Sequence, residues 1–106
     1  MASKLPQNNA RIIVDLAFAH TILGQYFKEN NKSEANVEFA KGKALYEVAE
    51  RIEPTYPLLY SNWSVLDFYI CDYVKAKEHL DKATSLGFKP DPTYLKELED
   101  KLNVRK

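Results

Sequence analysis

The chain is poor in the residues that build reaction centres. Its one cysteine, Cys71, excludes an internal disulfide, and no zinc-type spacing recruits it. A reducing, cytoplasmic setting fits that usage. Three glycines are too few for most phosphate-cradling loops, and neither such a loop nor a nucleophile elbow is found. Charge of one sign is missing too: fifteen basic residues balance fifteen acidic ones, so no whole-chain field draws in nucleic acid or an anionic membrane. No apolar run approaches the roughly eighteen residues of a membrane span. The start, Met-Ala-Ser-Lys-Leu-Pro, lacks the basic and then apolar regions of a secretory leader, which predicts a soluble protein. The sequons at Asn31 and Asn62 therefore carry little weight.

What is present suffices for one small domain, with 106 residues, 45% of them apolar and 12% aromatic. The most informative stretch runs from Pro57 to Pro90. Leu59, Trp63, Leu66 and Ile70 recur at helical offsets, with Tyr60, Ser64 and Cys71 beside them. From Asp72, Ala76, Leu80, Ala83 and Leu86 share one side, and most of the Lys, Glu and Asp lie on the other. A tight break separates the two patterns, so the stretch predicts a helical hairpin whose alanines allow close approach.

These residues resemble a tetratricopeptide repeat: an aromatic, then Asn62, Trp63 and the small Ser64 in the first helix, and in the second an Ala, Leu80, Ala83, a Leu-Gly ending and Pro90. The resemblance implies an all-α stack of antiparallel hairpins, an α-α superhelix, that binds a protein or peptide. It does not name the partner.

Upstream, Asn8 or Asn9 can cap a helix, and from Ala10 the residues Ile12, Ile13, Leu16, Ala19, His20, Leu23 and Phe27 predict one apolar face. Ser33 can cap a second helix over about Glu34 to Glu53, its buried side Val37, Ala40, Ala44, Leu45, Val48, Ala49 and Ile52, ended by Pro54. A shift of about 34 residues, the tetratricopeptide period, carries Tyr46 onto Leu80 and Ala49 onto Ala83. The first helices align less well, which predicts about six extra residues in the inner turn of the first hairpin. After Pro92, the stripe Leu95, Leu98 and Leu102 predicts a capping helix. The expected organisation is a tail over 1–9, a degenerate hairpin over 10–54, a second hairpin over 55–90, and a cap over 91–106, about five helices in all.

The resemblance implies that first helices line a concave groove. Taking 100° per residue, the third helix turns Tyr60, Trp63, Ser64 and Asp67 inward and Leu58, Ser61, Val65, Phe68 and Tyr69 outward. The same argument places Phe18, Thr21, Gln25 and Lys28 of the first helix and Leu95, Lys96 and Glu99 of the last on that side. With Asn62, these form an apolar centre with a polar rim suited to a peptide's apolar anchors. The competing expectation is that helix one, the cap or a long first loop covers the face. A carboxylate clamp for an acidic chaperone tail is poorly matched. Asn62 and Lys96 fit, but Thr21, Gln25 and Pro92 stand where Lys, Asn and Lys belong.

Chemistry has few candidates. Asp67, if buried, needs a partner such as a histidine or tyrosine. His20 stands in a core slot, Cys71 reads as an inert buried thiol, and His79 reads as surface. Lys41, Lys43, Lys75, Lys77, Lys82, Lys89 and Arg105-Lys106 are interleaved with acids, which is a solvated face rather than a nucleic-acid footprint. The expected function is non-catalytic protein binding, without cofactor, metal, nucleic acid or membrane. The alternatives are homo-oligomerisation through the same apolar face, or a small enzyme built on His20, Asp67 and Cys71.

Overall fold

A computed structural model describes residues 8–104, which form five α-helices and no strand. They are α1 (Asn8–Phe27), α2 (Lys32–Ile52), α3 (Pro57–Tyr69), α4 (Tyr73–Ser85) and α5 (Pro92–Val104). The all-α class expected from the sequence is therefore found. The tail expected over 1–9 falls mostly outside the described residues, although Asn8 and Asn9 already belong to α1. The terminal pair Arg105-Lys106 lies outside them as well.

Local chemistry explains the helix ends. Asn31, rather than the expected Ser33, caps α2, its Oδ1 accepting the Glu34 N–H at 3.1 Å. Pro57 opens α3, where its missing N–H costs nothing. Asp72 caps α4 through the Lys75 N–H. At the end of α3, Cys71 N–H reaches the Phe68 carbonyl and Asp72 N–H the Asp67 carbonyl; Gly87 and Phe88 repeat this pattern on Thr84 and Ala83 at the end of α4. Both are Schellman turns, which need one left-handed residue. Gly87 supplies it at φ 105°, and Cys71 supplies it at φ 66°. Cys71 is thereby exposed, not the buried thiol expected.

The first hairpin differs from expectation in where its extra length lies. Its helices have 20 and 21 residues against 13 and 13 in the second hairpin, and the inner turn is short. The surplus is helix, so no long loop exists to cover the groove.

Packing corrects the faces of α1 and α2. The buried stripe of α1 is Ala10, Val14, Ala17, Thr21 and Gly24, while Ile12, Leu16, Ala19 and Leu23 are exposed. In α2, Ala35, Glu38, Phe39, Gly42, Tyr46 and Ala49 are buried, and Val37, Ala40, Ala44 and Ile52 are not. Small residues win because the helices lie close together. A Cβ on Gly42 would stand 3.1 Å from the Ala17 carbonyl oxygen, and one on Gly24 would stand 2.5 Å from the Phe39 ring. In α3 and α4 the expected stripes hold, except that Ile70 is exposed beyond the end of α3.

The main core joins α1, α2 and α3, with Tyr46 stacked on Trp63 at 5.7 Å. A smaller core of Ala76, Leu80 and Leu98 joins α4 to α5.

Candidate functional site

The second core is incompletely filled and opens as a cleft of about 340 Å³, lined by Ser61, Val65, Phe68 and Tyr69 of α3, Leu80 of α4, Phe88 and Asp91 of the connection, and Tyr94 and Glu97 of α5. Helical spacing on α3 sets four of these on one side. Asp91 fixes the approach of α5, since its Oδ1 accepts the Thr93 N–H at 3.4 Å just before Pro92. Tyr94 then reaches across to Ser64. Its hydroxyl donates to the Ser64 carbonyl at 3.0 Å and lies 2.7 Å from Ser64 Oγ, which donates to the Ala76 carbonyl at 2.7 Å. Burial, opposed by that hydrogen bond, pushes Tyr94 up to about 12.

The cleft thus unites Ser61, Val65, Phe68 and Tyr69 of the residues expected to form a groove. The rest stand elsewhere. Thr21 is fully buried, donating to the Ala17 carbonyl and lying 3.0 Å from the Tyr46 hydroxyl, because α1 turns its small face inward. Phe18 is half-buried, Gln25 and Leu58 are exposed, and none of the three lines the cleft. Asn62 is half-buried and accepts from Tyr46 Oη through its carbonyl at 3.3 Å. Lys96 points to water and pairs with Asp100 at 3.5 Å. The α5 residues in the cleft are Tyr94 and Glu97 rather than the expected Leu95, Lys96 and Glu99, a rotation of about one residue, or 100°. Lys28 is held by the Tyr69 carbonyl at 2.8 Å, tying α1 to the end of α3.

No family model, curated protein or solved structure matches this chain.

Two histidine–carboxylate pairs bridge helices. His20 Nδ1 lies 2.6 Å from Glu38 Oε1 between α1 and α2, and His79 Nδ1 lies 2.6 Å from Asp67 Oδ2 between α4 and α3. The histidine partner foreseen for Asp67 is present, but His79 is not the surface residue expected. Its ring stacks on Trp63 at 4.2 Å and on Tyr60 at 6.1 Å. Burial raises the Asp67 carboxyl and the His79 hydrogen bond opposes that rise. Glu38 is lowered, first by its hydrogen bond with His20. Tyr60 is pushed up to about 12 by burial and by nearby Glu50.

The Asp67–His79 pair lines a second cavity of about 390 Å³ with Lys43, Glu47, Glu50, Trp63, Ile70, Asp72 and Lys75. Neither His20 nor Cys71 lines this cavity, so the three residues of the enzyme alternative are not brought together there. Among the described residues no group of His, Cys, Asp and Glu could hold a metal ion, and no helix is long and apolar enough to cross a membrane.

Proposed function

We propose that this chain is a tetratricopeptide-like, non-catalytic module that binds a protein or peptide in the cleft between α3 and α5. One observation carries the proposal: four outward residues of α3 are met there by Tyr94 and Glu97 across an opening of about 340 Å³. That size accommodates one or two apolar side chains. The walls Val65, Phe68, Leu80 and Phe88 suit such an anchor, and Ser61 and Tyr69 offer hydroxyls for a peptide backbone.

Charge narrows the ligand. The ionisable carboxylates in the cleft are Asp91 and Glu97, while the cation expected there, Lys96, is outside it. The fitting partner carries an apolar anchor next to a basic residue, and an acidic chaperone tail is repelled. Two histidine–carboxylate pairs act within this reading as ties between helices, and a cytoplasmic location agrees with the exposed free thiol of Cys71.

The test is selection from a displayed random-peptide library against wild type, followed by titration of the selected peptides. Binding should need an apolar residue with a neighbouring Lys or Arg. It should fall at least tenfold in Val65→Lys and in Glu97→Lys, with circular dichroism unchanged. Peptides that bind all three proteins equally would place the binding surface elsewhere.

A further inference from the structure

Tyr69 is the last residue of α3 and stands between two openings. On one side it walls the cleft. On the other it borders a cavity of about 260 Å³ at the two hairpin turns, where Lys28, Lys32, Phe39 and Cys71 also stand. Its ring lies 6.5 Å from that of Phe39 in α2. Burial does most to raise the Tyr94 hydroxyl across the cleft, and the Tyr69 phenol adds to the rise, so the Tyr69 hydroxyl lies toward Tyr94. With space on two sides, packing holds this ring less firmly than a ring in the core.

The backbone beneath it is the firmer hold. A helix leaves its last carbonyls without partners of its own. At the end of α3 the carbonyls of Leu66, Phe68 and Asp67 take the N–H groups of Ile70, Cys71 and Asp72. That of Tyr69 goes to the Lys28 ammonium, 2.8 Å away in a partly buried contact from just past the end of α1. A cation suits this place, because the carbonyl end of a helix is negative and a charged donor makes the stronger hydrogen bond.

We infer that Lys28 is a positioning residue for the cleft: through the Tyr69 carbonyl it fixes the last turn of α3, and with that turn the ring against which an apolar anchor packs. This rests on the cleft reading above and adds to it a residue of the first hairpin that lines no part of the cleft. Without the bond the last turn of α3 frays, and the ring has the neighbouring cavity to fall into. The first hairpin thereby takes part in binding from behind the wall.

Two measurements test this, one without ligand and one with it. In the unliganded protein, Lys28→Met should shift and broaden the ring proton signals of Tyr69 and leave those of Trp63 in place. The binding probe is a peptide selected on wild type whose affinity falls in both Val65→Lys and Glu97→Lys. Its Kd should rise about fivefold or more in Lys28→Met, as loss of a charge-assisted hydrogen bond does. It should stay within about twofold in Lys28→Arg, which keeps a charged donor, and should not change in Lys32→Met, which alters the other lysine of the same cavity. In a Tyr69→Ala background, Lys28→Met should have no further effect, a coupling that a mere tie between α1 and α3 would not produce. Tyr69 signals indifferent to Lys28→Met, an unchanged Kd, or an equal loss in the Tyr69→Ala background would overturn the inference and leave the cleft reading standing. A library that yields no peptide dependent on Val65 and Glu97 would overturn both.

Discussion

Tyr94 reaches from α5 to place its hydroxyl 2.7 Å from the side chain of Ser64 on α3. That contact is the polar fastening of the last helix, because the α4–α5 core beneath it has only Ala76, Leu80 and Leu98 fully buried. Tyr94→Phe should cost about 1 kcal/mol in urea unfolding, and amide exchange should quicken in α5 far more than in α1 or α2. Uniform quickening would mean that α5 is fastened mainly by its leucines.

Trp63 is the centre of a column, stacked between Tyr46 at 5.7 Å and His79 at 4.2 Å. Trp63→Ala should cost roughly 3–5 kcal/mol. Val65→Lys, on the cleft side, should cost under about 1 kcal/mol, as a partly exposed substitution does. Comparable losses for the two would make the cleft wall part of the interior.

Cys71 holds a left-handed conformation that glycine adopts without a Cβ clash. Cys71→Gly should therefore stabilise the fold by about 0.5–1 kcal/mol, and Cys71→Val should destabilise it. A thermal melt reads both. Loss of stability in the glycine variant would show that the thiol makes a contact worth more than the relieved strain.

Gly42 of α2 faces the backbone of α1, with the Ala17 carbonyl oxygen and Leu66 Cδ1 each 3.1 Å from an added methyl. The oxygen belongs to helix backbone and cannot step aside. Gly42→Ala should cost about 1–3 kcal/mol, whereas Ala19→Ser on the outer face should change the stability of the monomer by under about 0.5 kcal/mol.

Glu38 is held below the ordinary carboxylate range, first by His20 and then by Lys41 against the effect of burial. A depressed carboxyl stabilises the fold at pH above its unfolded value, and that contribution is lost as pH falls through its folded value. Wild type should therefore lose stability relative to Glu38→Gln below about pH 4.5. Asp67, raised by burial, acts in the opposite sense, so the difference between variant and wild type is the informative quantity. A difference that does not change between pH 3 and pH 6, roughly, would break the link to Glu38.

The hairpin of α3 and α4 was legible because its buried residues are large, its opposite faces are polar and Gly87 with Pro90 marks its end. The first hairpin was harder for a physical reason. The helix α1 is apolar on two sides, and hydrophobicity favours Ile12, Leu16 and Leu23 while close helix packing selects the smaller Ala10, Ala17 and Gly24. Burial follows the steric fit, which a count of apolar residues does not weigh. The outward residues of α3 followed from angle alone. Tyr94 and Glu97 did not, since the rotation of α5 is set by the hydroxyl of Tyr94 finding Ser64 over 30 positions of sequence. His79 was hidden by Lys77, Glu78 and Asp81, which make its turn look solvated.

The second core, small and partly open, sits at one end of a molecule 18 Å across its thinnest dimension. That thickness is about two helix diameters, and α5 is held there by the small α4–α5 core and by Tyr94 on Ser64. An element fastened by so little buried surface opens before the main core does. A ligand seated between α3 and α5 would close the end that opens first, and its concentration would then set how long the whole chain survives proteolysis, with unbound copies degraded from the α5 end and bound copies spared.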